Sequence, residues 1–138
     1  METLPGSPTS VAILDRRPEY ARLIATLVAV EQPDATVRTF ANIDDAERWI
    51  ATAPSPVLLL VDVAAGGDAV TRAQAWRRAR ADMQLVLMFN PCAEEEVSRA
   101  RRATADAAFP KPLRLAQWTR SFGAFLRGTS APALELFA

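Results

Sequence analysis

Histidine is absent from this 138-residue sequence, and cysteine occurs once, at Cys92. The first absence removes His-containing zinc sites, Ser-His-Asp triads and Cys-His dyads together. The second removes any internal disulfide and fits a reducing compartment. Net charge is lacking as well, because 16 Lys and Arg balance 16 Asp and Glu. The chain as a whole therefore offers no electrostatic footprint for nucleic acid or an anionic membrane, although one basic face is still allowed. No apolar run approaches the ~20 residues of a membrane span. The opening "METLPGSPTS" has neither the basic nor the apolar region of a signal peptide. It reads as a disordered arm over 1–10, and the cytoplasm is the expected location.

What the chain does have is a regular alternation. Half of its residues are apolar, enough at this length for one domain with a real core. The short run "VAIL" (11–14) is followed by helical spacing of Leu23, Ile24, Leu27 and Val28 over 19–30. "ATVRTF" (35–40) predicts a half-exposed strand. Asn42 caps the next helix, with Asp44 and Asp45 in its first turn and Ile43, Ala46, Trp49 and Ile50 on its inner stripe. "VLLLVDV" (57–63), "LVLMF" (85–89) and "AAF" (107–109) are buried runs. Helices are expected over 70–81, over 93–103, which starts acidic and ends basic, and from Leu115 to a stop at Gly128. Strand and helix thus alternate five times. That order, with continuous rather than alternating apolar strands, predicts a parallel sheet with helices on both faces. The domain spans 11–128, and a tail over 129–138 carries Leu134, Leu136 and Phe137.

In an open parallel sheet, ligands bind beyond the carboxyl ends of the strands. Asp15 ends the first strand, Asp62 the third and Asn90 the fourth, and Lys111 follows the fifth. All four polar groups are therefore expected on one edge. The prolines on both sides of Lys111 fix its backbone and aim its side chain.

With these pieces in place, the chain resembles the receiver domain of two-component response regulators over residues 11–127. The resemblance rests on "VAILDRRPEYARLI", "VLLLVDV", "LVLMFNP" and "ADAAFPKPL". It implies a flavodoxin-like (βα)5 fold, a doubly wound five-stranded sheet in the order 2-1-3-4-5. It also implies that Asp62 is the phosphoacceptor, that Asp15 and Asp62 help hold Mg²⁺, and that Lys111 pairs with the phosphoryl oxygens. Such a site is chemically sensible, since a carboxylate attacks another anion only when a metal and a lysine neutralise charge.

Several positions depart from the family pattern. Arg16 stands where the second acid is expected, removing an oxygen ligand and adding a positive charge. Asn90 replaces a hydroxyl residue, and Ala108 replaces the aromatic switch of the fifth strand. Phe109 is next along, but it points to the other face. The loop after Asp62 lacks the usual Met-Pro. The expectation is a degenerate receiver with weak or absent Mg²⁺ binding, in which Arg16 pairs with Asp62 or Asp15 in the metal's place. Such a domain works through protein contacts. The alternative is a working phosphoacceptor that takes its phosphoryl group from a histidine kinase.

An enzyme is not expected. Asp-x-Asp is missing after the first strand, as are a Ser/Thr-rich phosphate loop, Gly-Lys-Ser/Thr and GxGxxG. Cys92 reads as a small buried filler, and Trp49, Trp76 and Trp118 as core or groove residues. The expected partners are a histidine kinase or another signalling protein. A homodimer through the fourth helix, fifth strand and fifth helix is a further option. Arg99, Arg101, Arg102, Arg114 and Arg120 fall around that face with little acid nearby.

Overall fold

Each apolar run becomes a strand. In the computed structural model, which describes residues 8–66, 68–111 and 115–126, the strands are β1 (Ser10–Leu14), β2 (Thr36–Phe40), β3 (Val57–Asp62), β4 (Met83–Phe89) and β5 (Ala107–Pro110). They alternate with helices α1 (Pro18–Glu31), α2 (Ile43–Ile50), α3 (Ala69–Ala79), α4 (Glu94–Arg102) and α5 (Leu115–Leu126). All pairings are parallel, in the order β2-β1-β3-β4-β5.

The expected boundaries move slightly. β1 starts at Ser10, within the segment read as an arm, because the Thr9 and Ser10 amides both donate to the Pro56 carbonyl, at 2.9 and 3.2 Å. Residues 1–7 and the tail 127–138, with Gly128, Leu134, Leu136 and Phe137, lie outside the described residues. β4 starts at Met83, two residues before the apolar run, because Gln84 interrupts the pattern without breaking the ladder to β3. Asn42 caps α2 as expected, its Oδ1 accepting the Asp45 amide at 2.9 Å.

Two cores form, one on each face of the sheet. Leu59, Val61, Leu85, Leu87 and Ala108 pack towards α2, α3 and α4. Leu58, Leu60, Val86, Met88 and Phe109 pack towards α1 and α5. Phe109 meets Phe122 and Phe125 edge-on, with ring centroids 5.5 and 5.6 Å apart. Each fully buried Leu, Ile or Phe contributes roughly 1.5–3 kcal/mol. β3 is buried on both faces along its whole length, as its unbroken apolar run predicts. β2, at the sheet edge, is half exposed, and its Phe40 leans on Trp49.

Strand parity places the polar ends. Odd positions of β1 and β5 and even positions of β3 face α1 and α5. Asp15, Asp62 and Lys111 continue those three series. They therefore leave the sheet on the same face as well as at the same edge.

Candidate functional site

The residues that end β1 and β3 and follow β5 meet through one ammonium group. Lys111 Nζ donates to Asp62 Oδ2 at 2.7 Å and lies 3.1 Å from Asp15 Oδ2. The backbone holds all three in place. The Lys111 amide donates to the Phe89 carbonyl at 2.7 Å, extending the β4–β5 ladder past Pro110. The register pairs Leu14 with Val61, so Asp15 and Asp62 follow as neighbours. Asp15 Oδ1 accepts the Arg17 amide at 2.9 Å, and Asp62 Oδ1 accepts the Ala64 amide at 3.0 Å. Each carboxylate is thus fixed by a backbone donor two residues further on and turns its second oxygen to the lysine.

Asp62 stands at the strand end, as expected, yet it is only 3% exposed. Lys111 covers it, and Tyr20 covers Lys111, with Nζ 4.8 Å from the ring centroid. The Arg17 guanidinium lies over the same ring at 5.8 Å. A desolvated ammonium over a tyrosine face gains cation–π attraction in addition to its ion pairs. Burial pushes the Asp15 carboxyl above its ordinary value, with the Asp62 charge adding to the rise. The Arg17 amide and Lys111 oppose it without cancelling it. Burial alone would lower the Lys111 pKa, but the hydrogen bond to Asp62 and the two negative charges outweigh it. The net shift is upward.

The remaining candidates fall around this centre. Arg16, Asn90, Asp62 and Lys111 line one cleft of about 220 Å³, together with Arg17, Tyr20 and Glu96. Asn90 uses its side-chain carbonyl locally, accepting the Cys92 amide at 2.9 Å, while its own amide donates to Glu96 Oε1 at 3.0 Å. Arg16 departs from expectation. It is exposed and forms no ion pair with Asp15 or Asp62. Its Nη1 lies over the β3–α3 loop, 3.4 Å from where a Cβ on Gly66 would stand. The reason is steric and electrostatic. Lys111 already sits between the two carboxylates, so the guanidinium gains nothing by entering. Gly66, at φ +92, gives it a flat surface and a backbone conformation other residues rarely adopt.

Two further expectations are corrected. Cys92 is exposed rather than a buried filler, because the Asn90 turn carries it out ahead of α4. The arginines of α4 are not free of acid. Arg99 pairs with Glu95 at 2.9 Å and donates to the Val63 carbonyl at 2.8 Å. Arg114 and the Trp118 side chain lie outside the described residues. Trp76 donates to Glu47 at 3.0 Å on the far flank. Sequence reasoning missed Tyr20 and Glu96. The sequence has a single tyrosine, five residues after Asp15. The first turn of a helix that follows a strand lies against that strand's end, and this was a usable signal.

Comparison with solved structures identifies the architecture. The fold is that of a response-regulator receiver domain. The signal receiver domain of a DNA-binding response regulator from Colwellia psychrerythraea superposes with a TM-score of 0.68 at 20% identity, covering 86% of this chain and 98% of that one. A response regulator receiver protein from Burkholderia phymatum gives 0.67 at 18% identity, covering 89% and 97%. A response regulator from Thermotoga maritima gives 0.62 at 17%, covering 88% and 98%. No family model matches the sequence, and no curated protein matches it.

The fold brings Mg²⁺ into question. The donors at hand are Asp15 Oδ2, which is buried without an aligned hydrogen bond, and Asp62 Oδ2. Among the described residues no group of three His, Cys, Asp or Glu side chains gathers. Two carboxylates are a thin set for a hard cation that wants six oxygens. Lys111 holds both, and Arg16 adds charge of the wrong sign to the lining of the same cleft. These residues suit an internal ammonium better than a dication.

Proposed function

We propose that this chain is a receiver-like module of two-component signalling that passes information by protein contact, with Lys111 as its built-in counter-ion and an impaired response to Mg²⁺. It is a signalling part rather than an enzyme, and its natural contacts are a histidine kinase or a downstream signalling protein. The carrying observation is the ammonium of Lys111 between Asp62 and Asp15, at 2.7 and 3.1 Å. In this reading the charge that a metal would neutralise is already half neutralised from within. Arg16, standing where a second acid is expected, disfavours a dication further. The absence of an aromatic at Ala108, a buried methyl facing α4, supports the same reading. A side-chain rotation there has nothing to rotate.

The test is chemical. Incubation with acetyl phosphate and Mg²⁺, followed by intact mass, should leave the protein unmodified. A Mg²⁺ titration followed by NMR should show no saturable shifts at Asp62. Arg16→Asp restores an acid beside Asp15 and is expected to tighten Mg²⁺ binding by at least about tenfold. Stoichiometric phosphorylation of the wild type, abolished in Asp62→Asn, would overturn the proposal in favour of a working phosphoacceptor. That second reading draws on one observation: Asp62, Asn90 and Lys111 share an open cleft of about 220 Å³.

No helix among the described residues is long and apolar enough to cross a membrane.

A further inference from the structure

Grooves border α4 on more than one side, and they differ in charge. The cleft at Asp62 has Glu96 in its wall, and the groove beside Val97 and Ser98 has Glu94. A further groove, of about 360 Å³, runs between α3 and α4 and has no acid among its described lining residues. Each helix gives it a polar pair at i, i+3: Thr71 and Gln74 from α3, Arg99 and Arg102 from α4. Val63, Val70 and Ala103 supply an apolar part of the wall. Donors outnumber acceptors here. Gln74 Oε1 accepts the Thr104 amide at 2.7 Å, so the side chain has its amino group left to offer. Arg99 uses Nη1 on the Val63 carbonyl and Nη2 on Glu95, and keeps further N–H donors. Arg102 is exposed and forms no ion pair among the described residues. Arg16 adds another guanidinium at the rim, over Gly66.

We infer that this groove binds a small organic phosphate. Two guanidiniums that border one space repel each other, and an anion between them replaces that repulsion with charge-assisted hydrogen bonds to both. The Thr71 hydroxyl and the Gln74 amino group add donors from the other helix. Donors on both sides of a groove suit a tetrahedral oxyanion, whose oxygens point several ways. A planar carboxylate is satisfied edge-on by one guanidinium and has less use for the rest. The groove, at about 360 Å³, is within the size range of small-molecule sites and holds more than a bare phosphate. Its apolar wall of Val63, Val70 and Ala103 gives the organic part of the ligand a place. A nucleic-acid backbone fits less well. It needs cations in succession, and Glu95 stands one turn before Arg99 on α4. An open groove desolvates its ligand only in part, so the affinity is modest. The inference is independent of the reading of the Asp62 cleft and can fail or succeed without it.

Titration of the full chain with phenyl phosphate, followed by backbone and side-chain NMR, tests it, with circular dichroism confirming that each variant is folded. Asp62→Asn is titrated alongside the wild type, so that chemistry at Asp62 does not enter the readout. In both, shifts should saturate and centre on Thr71, the Gln74 side-chain amide and Ala103. Inorganic phosphate lacks the apolar body and benzoate lacks the tetrahedral head, and each should bind about tenfold more weakly than phenyl phosphate or worse. Arg102→Ala should weaken phenyl phosphate binding by about tenfold. Arg78→Ala removes an exposed arginine of α3 that does not line the groove, and should change the affinity by less than about twofold. Shifts that do not saturate, or that centre on Ala64, Asn90 and Lys111, would overturn the inference. So would equal affinity for inorganic phosphate or for benzoate, an Arg102→Ala variant that binds like the wild type, or an Arg78→Ala variant that loses as much as Arg102→Ala.

Discussion

At the N-terminal edge of the sheet, Asp82 and Asp106 each meet an arginine through two hydrogen bonds, whereas at the C-terminal edge Asp15 and Asp62 share a single lysine. Arg80 reaches Asp82 at 3.1 and 2.8 Å and also donates to the Ile50 carbonyl at 3.0 Å. Arg77 reaches Asp106 at 2.9 and 3.2 Å, and Asp106 accepts the Leu85 amide at 2.7 Å as well. Those side chains are a quarter to a third exposed. Across the sheet, Asp15 and Asp62 are 0 and 5% exposed at the side chain, Lys111 is 12% exposed, and one Asp15 oxygen lacks an aligned donor. The first edge is satisfied and partly exposed. The second is buried and incompletely satisfied. Satisfied bidentate pairs secure strand ends. A buried cluster one donor short of satisfaction leaves a polar atom that a ligand or a proton can satisfy.

The difference can be broken most forcefully at Lys111. Lys111→Met leaves two buried carboxylates facing each other and should cost about 3 kcal/mol in urea denaturation at neutral pH. The loss should shrink as pH falls and one carboxyl takes up a proton. At the opposite edge, Asp106→Ala removes the acceptor of the Leu85 amide and the partner of Arg77. It should cost about 2 kcal/mol, with little pH dependence between neutrality and mild acid.

Asp15→Asn sharpens the contrast further. It removes a charge that burial penalises, so at neutral pH stability should stay within about 1 kcal/mol of wild type or rise above it. The sign of the pH effect follows from the raised pKa of Asp15. The folded state holds that proton more tightly than the unfolded state. Wild type should therefore gain stability relative to Asp15→Asn as pH falls from the raised value towards the ordinary 3.8. Asp82 runs the other way. The hydrogen bonds from Arg80 and then Ser55 hold it well below the usual carboxylate range, so its contribution is present above that range and fades as pH falls through it. The smallest effect belongs to Arg16→Ala. An exposed guanidinium without an ion pair among the described residues should change stability by less than about 0.5 kcal/mol, measured by thermal melting.

The strands and their shared polar edge were legible because both depend on short-range pattern. A run such as "VLLLV" has only one environment that suits it, and two-residue periodicity carries Asp15, Asp62 and Lys111 to one face. The same logic separated Ala108 from Phe109. What the pattern could not give was competition between side chains. Arg16 and Lys111 are both cations near the same acids, and only their path lengths in three dimensions decide which one enters. Lys111 arrives along a strand, fixed by its amide bond to Phe89, while Arg16 sits on a turn that points outward. The burial of Asp62 was hidden for the same reason, because its cover comes from a residue 49 positions away. Cys92 looked like filler by composition, but an Asx turn at Asn90 set its exposure.

The hydrogen bond from Arg99 to the Val63 carbonyl joins α4 to the peptide unit immediately after Asp62. α4 thereby holds a bond to the loop beside the pocket. Thermodynamic reciprocity then ties the two surfaces. If occupancy of α4 alters that bond, the affinity of the pocket for any ligand changes by the same factor by which the ligand changes the occupancy of α4. A signal could thus travel in either direction through a single guanidinium.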